Sequence, residues 1–125
     1  MLDEDGLPLD IVGVWAKEKH QRLRHYIDIT RGVRRKWVEG TGGATYIDPF
    51  CGTGRALVRG TDERIDGSPL LAFKTARDCK VPFSKICIAD ESGQSCRVAE
   101  QRLTNAGAPV AMEIGPSTDT AVRII

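Results

Sequence analysis

The segment Tyr46–Arg55, which reads YIDPFCGTGR, constrains the fold of this 125-residue chain more than any other feature. Residues 44–48 form a short β-prone run that ends in an acid, and a glycine-rich turn over residues 51–54 follows at once. Glycines let the backbone take conformations that a Cβ forbids and approach a ligand closely. A strand that ends in an acid and turns through Gly-x-Gly is typical of nucleotide-binding sites. The alternative interpretation is a tight turn that joins any strand to any helix, with Asp48 as a cap.

The remaining sequence predicts that strands alternate with helices. The predicted elements are a long helix over 14–37 that could break near Gly32, a strand over 44–48, a loop over 58–67, a helix over 68–79, a strand over 85–89, a helix over 93–106, a strand over 110–114, and the first turns of a helix over 119–125. Residues 1–13 read as an irregular N-terminal segment. Such alternation predicts a parallel sheet with helices on both faces, which is the N-terminal half of an α/β, Rossmann-like domain. We therefore expect a helical segment over 1–43 and a partial Rossmann-like domain over 44–125.

Three parallel strands leave an exposed sheet edge and much uncovered apolar surface. Either the chain is a fragment, or something else completes the sheet. Self-association through the open edge is one way of completing it.

A second apolar run, residues 85–89, ends on Asp90 and Glu91. The turn lacks the third glycine and the immediate helix that hold a pyrophosphate in dinucleotide-binding domains. S-adenosylmethionine (SAM) has no phosphate, and needs room for its methionine part over the glycine turn and an acid for its ribose hydroxyls. Asp90 is favoured over Glu91 as that acid. The candidate SAM-binding residues are Asp48, Pro49, Phe50, Cys51, Gly52, Thr53, Gly54, Asp90 and Glu91.

The stretch DPFCGTG resembles the first motif of class I SAM-dependent methyltransferases, and its spelling is similar to that of enzymes that methylate exocyclic amino groups of bases in DNA or RNA. A wider pattern, W..EK...L..YI followed by YIDPFCGTGR, IDGSPLLA and IADES, resembles the three-Cys-motif partner protein family (TcmP) over about Trp15 to Ile114. The resemblance implies a class I methyltransferase fold, SAM as cofactor, and a three-Cys-motif, radical-SAM-like protein as partner. The positions that match the family's motifs are Asp48, Phe50, Gly52, Gly54 and Asp90.

The sequence departs from the family pattern after its third predicted strand. Pro116 stands where the family has an Asp near the adenine, and Asp119 is only a displaced substitute. No residue is a clear candidate for catalysis, and the methyl acceptor is not indicated.

Other chemically interesting residues have plain structural interpretations beside functional ones. Asp66 and Ser68 flank Gly67, and could close over the cofactor or form an Asx-type turn and an N-cap. The aromatic residues of the N-terminal helix could stack on bases, but core and helix packing are favoured. They are Trp15, Tyr26 and Trp37. His20 and His25 are expected to be exposed and to bind no metal.

Charge and cysteine content exclude several classes of function. Lys and Arg number 18 and Asp and Glu 17, so no global field attracts nucleic acid. The basic runs over 17–24 and 31–36 are interpreted as solvated helix faces. Met1 leads into acidic residues and no apolar run has the length of a membrane span, which favours the cytoplasm. The cysteines form no CxxC pair, so reduced, partly buried thiols are expected rather than a zinc site; they are Cys51, Cys79, Cys87 and Cys96.

Three functional hypotheses follow from the sequence. The leading one is a SAM-binding, methyltransferase-like protein of the three-Cys-motif partner type. The alternatives are a nucleic-acid base methyltransferase, suggested by DPFCGTG and the basic runs, and a truncated, non-catalytic interaction module.

Overall fold

The computed structural model describes residues 2–40 and 42–114, and within them the chain is a mixed α/β structure of four helices and two three-stranded sheets. In chain order the elements are β1 (Asp10–Val12), α1 (Ala16–Ile29), α2 (Arg31–Glu39), β2 (Thr45–Asp48), β3 (Arg55–Val58), β4 (Arg64–Asp66), α3 (Ser68–Asp78), β5 (Lys85–Asp90), α4 (Gly93–Asn105) and β6 (Val110–Ile114).

One sheet has the order β2-β5-β6 and all its strands are parallel. The middle strand, β5, is buried from Ile86 to Ala89, as is usual for a parallel strand covered on both faces. Parallel neighbours need crossover connections, and the connections here contain α3 and α4. The three predicted parallel strands are therefore confirmed, each within a residue or two of its predicted bounds.

The second sheet, of order β1-β3-β4, was not predicted. The sequence predicts a loop over 58–67, but β4 lies within that range and forms an antiparallel hairpin with β3, and β1 pairs parallel with β3. The hairpin turns near Gly60, which has φ +80°. Its strands are only four and three residues long, and β1 lies more than forty residues away in sequence, so local periodicity carries little signal for this sheet.

The N-terminal helical segment is two helices, α1 and α2, so the long helix predicted over 14–37 is interrupted. The break lies at Thr30, two residues before the glycine at which a break was expected. The Thr30 hydroxyl donates to the carbonyl oxygen of Tyr26 at 2.8 Å, and side-chain bonding of this kind competes with helix continuation.

The main core lies between β5 and the helices that follow β2 and β5. Its buried residues are Cys51, Leu70, Phe73, Ile86, Ile88, Cys96, Ala99 and Leu103. A smaller cluster joins α1 to α3, where Ile27 packs on Ala72 and Ala76. The two alanines of α3 let α1 approach closely, which places the N-terminal helices over the sheet beside β2.

Some of the predicted features fall beyond the last described residue, Ile114. The predicted helix over 119–125, Pro116 and Asp119 lie outside the described residues. Among the described strands none pairs with the outer edge of β2. No helix in the described part of the chain is long and apolar enough to cross a bilayer.

Candidate functional site

The glycine turn lies at the carboxyl end of β2 and is bonded to the carboxyl end of β5. The Cys51 amide donates to the carbonyl oxygen of Ala89, and the Gly52 amide donates to Oδ2 of Asp90, both at 2.9 Å. Gly52 and Gly54 have φ of +59° and +85°, a region that residues with a Cβ rarely adopt. The structure therefore brings together the glycine turn and the acid of the second predicted strand.

Asp90 is half-buried and uses both carboxylate oxygens within the protein. Oδ2 accepts from Gly52, and Oδ1 accepts from the Ser92 amide at 3.0 Å. Each oxygen of an ionised carboxylate has about two acceptor sites, so Asp90 keeps capacity for further donors. Its neighbour Glu91 is exposed.

Asp48 is the last residue of β2, directly before the turn, and 7% of its surface is exposed. Its carboxylate accepts from the Ser68 hydroxyl, from the Tyr46 hydroxyl at 3.4 Å and from the Phe50 amide at 3.0 Å. Burial, and then the Asp48 charge, raise the pKa of Tyr46, which keeps the phenol protonated as a donor. Asp48 therefore acts within the protein as an anchor for the start of the turn.

The IDGSP segment packs directly on the glycine turn. The Gly67 amide donates to the carbonyl oxygen of Gly54 at 2.8 Å, and a Cβ on Gly67 would lie 3.0 Å from the Gly54 carbonyl carbon. The N-cap predicted at Ser68 is wrong, because Gly67 holds that position and the Ser68 side chain turns to Asp48 instead. Asp66 pairs with Lys74 at 3.0 Å. The IDGSP segment and the glycine turn are thus joined by direct hydrogen bonds, and these bonds form without a ligand.

Sequence reasoning missed Asp10, which β1 brings to the turn from the N-terminal segment. Its Oδ2 accepts from the Thr53 amide at 2.9 Å. A Cβ on Gly52 would collide with the same oxygen. Glycine at position 52 is therefore required by the Asp10 contact as well as by its backbone conformation.

Sequence reasoning also missed Arg102, although its place on the apolar face of a predicted helix indicated a buried arginine. It is an arginine one turn beyond Val98 and Ala99, on the apolar face of α4, and only 4% of it is exposed. It donates two hydrogen bonds to Asp5 and one each to the carbonyl oxygens of Leu7, Pro8 and Thr53. This one side chain joins α4, the N-terminal segment and the glycine turn.

A second buried ion cluster fixes the same segment to the hairpin. The Asp3 side chain is fully buried, with Arg55 Nη1 at 2.5 Å and Arg64 Nε at 2.9 Å. Buried carboxylates need such partners. This cluster holds the N-terminal segment on β3 and β4, while charged side chains from four other elements (β1, β2, β5 and α4) hydrogen-bond to the backbone of the turn.

The other predicted motif residues have distinct surroundings. Phe50 is 71% exposed, whereas Cys51 is 4% exposed and points into the core cluster. Burial is the main cause that raises the pKa of the Cys51 thiol, so this cysteine does not have the thiolate character of a reactive one. Pro49 is half-buried and Thr53 is buried.

The aromatic residues of the N-terminal helices are not packed in the core, so that prediction is wrong. Trp15, Tyr26 and Trp37 are 59%, 62% and 57% exposed. Trp15 lies just before α1, with Nζ of Lys19 4.2 Å from its ring centre, and Tyr26 and Trp37 lie on α1 and α2. His25 is exposed as predicted, but His20 is half-buried.

A cavity of about 690 Å³ lies between α1 and the β3–β4 hairpin, away from the glycine turn. It is lined by charges of both signs, among them Lys17, Arg24, Glu63 and Asp66, and by His20. Burial and then the charge of Arg24 lower the pKa of His20. The lining favours no single class of ligand.

Comparison with known proteins found no matching family model, no matching curated protein and no matching solved structure. In the described part of the chain no three His, Cys, Asp or Glu residues are grouped as metal ligands would be.

Proposed function

We propose that this chain binds SAM at the glycine turn and belongs to a class I methyltransferase-like domain of the three-Cys-motif partner type. One observation carries the proposal: the Gly52 amide donates to Asp90, which joins the ends of β2 and β5 at a glycine turn. The expected partner is a three-Cys-motif, radical-SAM-like protein.

The arrangement of the sheet supports a Rossmann-like interpretation. Within the parallel sheet the order β2-β5-β6 follows the order of these strands in the chain, so the sheet extends in one direction from β2. In doubly wound sheets the strand order reverses beside the first strand, and ligands bind at the carboxyl ends of the strands at that point. In a sheet of that kind the turn after β2 would lie at this point.

The residues at the turn fit the chemistry of SAM. Asp90 would accept from the ribose hydroxyls with its remaining acceptor sites. The methionine part would lie against the Gly52–Gly54 backbone, and the exposed Phe50 ring could cover an apolar or cationic part of the ligand. When bound, SAM supplies an electrophilic methyl group, and the protein contributes orientation of the acceptor for in-line transfer.

Calorimetry with S-adenosylhomocysteine tests the proposal. We expect Asp90→Asn to weaken binding about tenfold, the loss of about 1.4 kcal/mol that one charge-assisted hydrogen bond explains. Glu91→Gln is the matched control, because Glu91 is the adjacent exposed acid, and it should bind like the parent chain. Absence of binding by the folded parent chain, or equal losses for both variants, would refute the assignment.

A nucleic-acid base methyltransferase is the second candidate, and the exposed aromatic residues favour it. Trp37 is 57% exposed on α2, a helix that also carries exposed Arg35 and Lys36. Bases stack on exposed aromatic rings, and Lys and Arg bind phosphates. Binding of single-stranded RNA that weakens steeply with salt, and that Trp37→Ala reduces, would support this candidate. Binding that ignores salt would count against it.

A further inference from the structure

Three acids of the N-terminal segment lie at the glycine turn or at its supports, and their charges are balanced differently. Asp3 is paired with Arg55 at 2.5 Å, and Asp5 is paired with Arg102 at 2.9 Å. Asp10 has no Lys or Arg within ion-pair distance in the described part of the chain. The acid closest to the turn is therefore the one whose charge the segment leaves uncompensated.

The two carboxylate oxygens of Asp10 have different surroundings. Oδ2 accepts from the Thr53 amide at 2.9 Å, and it would collide with a Cβ on Gly52. Oδ1 accepts no hydrogen bond from any described residue, and it is not one of the buried polar atoms that lack a partner. Asp10 as a whole is half-buried, so solvent reaches Oδ1. One oxygen therefore holds β1 on the turn, and the other is open to a ligand.

A second carboxylate is bonded to the neighbouring amide of the turn. The Gly52 amide donates to Asp90, and the next amide along the chain, that of Thr53, donates to Asp10. Asp90 is half-buried too, and it takes part in no ion pair with a described residue. The two acids leave uncompensated negative charge beside the turn. Such a place attracts a cationic group of a ligand and repels an anionic one.

The parts of SAM differ in what they offer to an open carboxylate oxygen. The ribose has neutral hydroxyls, which the proposed function assigns to Asp90. The sulfonium carries a positive charge but no hydrogen-bond donor. The methionine end carries an α-carboxylate, which has no donor, and an α-ammonium, which has three N–H donors and a positive charge. The ammonium is thus the group that meets both the charge and the open acceptor of Asp10.

We propose that Asp10 binds the α-ammonium group of SAM through Oδ1, an assignment that rests on the SAM-binding function proposed above. Oδ2 keeps its bond to the Thr53 amide while the ligand is bound. The strand that carries Asp10, β1, pairs with β3, which begins directly after the turn. The N-terminal segment thereby forms part of the cofactor site, and the amino-acid end of the ligand determines how tightly it binds.

Calorimetry with three ligands tests the assignment on the whole chain. They are S-adenosylhomocysteine, its deamino analogue, in which hydrogen replaces the amino group, and its decarboxylated analogue, which keeps the amino group and lacks the carboxylate. We expect the parent chain to bind S-adenosylhomocysteine at least about tenfold more tightly than the deamino analogue, the factor that one charge-assisted hydrogen bond explains. This comparison leaves the protein unaltered, so it is independent of the folding of any variant.

Asp10→Asn removes the charge and keeps an oxygen that accepts from the Thr53 amide. It should weaken binding of S-adenosylhomocysteine and of the decarboxylated analogue about tenfold each, and binding of the deamino analogue by less than about twofold. A role confined to holding the turn would weaken binding of all three ligands alike. Glu4→Gln is the matched control, because Glu4 is an exposed acid of the same segment, and it should leave the three affinities unchanged.

Asp90→Asn separates this assignment from the proposed function, because the ribose is the same in all three ligands and their affinities should fall by one common factor. That result, together with no loss in Asp10→Asn, would refute the role of Asp10 and leave SAM binding in place. Equal affinity of the parent chain for S-adenosylhomocysteine and its deamino analogue would also overturn the assignment. So would equal losses of all three ligands in Asp10→Asn, which would confine Asp10 to the turn or place it beside the adenosine. Absence of binding of every ligand to the folded parent chain would refute the proposed function, and the assignment with it.

Discussion

Replacing Arg102 tests how the glycine turn is held, and the structure gives the size of the effect. The side chain makes five hydrogen bonds, two to the Asp5 carboxylate and three to backbone carbonyls. At about 1 kcal/mol net for each, Arg102→Met should lower the free energy of unfolding by about 5 kcal/mol. Domains are stable by only about 5–15 kcal/mol, so the loss is a large share of the total.

The assay is urea denaturation followed by circular dichroism, with the slopes of the transitions compared. Arg97→Met is the matched control, because Arg97 is an exposed arginine on the same helix, and it should change stability by less than about 0.5 kcal/mol. Arg102→Lys keeps the charge and the stem, and should recover only part of the loss, since an ammonium cannot span the carbonyls of Leu7, Pro8 and Thr53.

A loss below about 1 kcal/mol for Arg102→Met would refute this reasoning, because it would mean that the contacts are replaced by water without cost. A double-mutant cycle with Asp5→Asn separates the carboxylate pair from the carbonyl contacts. Two mutations within one hydrogen-bond network usually show an interaction energy of about 0.5–3 kcal/mol in such a cycle. Additive losses of stability would show that Asp5 and Arg102 act independently.

Three further predictions concern the turn, the N-terminal segment and the thiols. Gly54→Ala should cost more stability than Gly60→Ala: both have positive φ, but a Cβ at 54 would lie 3.3 Å from the Cα of Ala99 while position 60 is open. At position 60 the strained backbone conformation alone should lower the free energy of unfolding by about 1 kcal/mol. Equal melting temperatures for the two variants would contradict the packing argument. The hydrogen bond from Arg102 lowers the pKa of Asp5, so its contribution to stability is present above the pKa of the unfolded chain and is lost as the pH falls through the folded value. Asp5→Asn should therefore flatten the acid limb of a stability–pH curve, and an unchanged limb would contradict this. Cys79 is half-buried and the other three cysteines are buried, so mass spectrometry after brief alkylation should find Cys79 modified first; early modification of another cysteine in the folded chain would argue against the described burial.

The parallel sheet could be predicted because its signals are local. The residues Ile86 to Ala89 form a continuous apolar run between Pro82 and two acids, and such a run reads as a buried parallel strand without knowledge of its neighbours. The glycine turn was equally visible, since positive φ at positions 52 and 54 selects for glycine whatever surrounds them. The approach of Asp90 to that turn followed from the rule that parallel strands end at one edge of a sheet.

The supports of the site could not be predicted in the same way, because they depend on contacts between residues far apart in the chain. Asp10 reaches Thr53 across 43 positions, and Arg102 reaches Asp5 across 97. Asp5 and Asp10 stand in a short polar segment, and such an acid looks like any solvated charge until its partner is placed beside it. The exposed aromatic residues were misjudged for a related reason, since the face of a helix that is covered depends on what packs there.

The sequence by itself therefore determined the alternation of strands and helices, the parallel pairing and the place of the turn, because backbone conformation and hydrophobic periodicity are local properties. Only the tertiary structure decided that the buried Asp48 carboxylate accepts a hydrogen bond from the Ser68 hydroxyl, and that Arg34 is buried with one nitrogen unpaired. These are matters of distance and desolvation, and a side chain acquires them only when elements from different parts of the chain pack together.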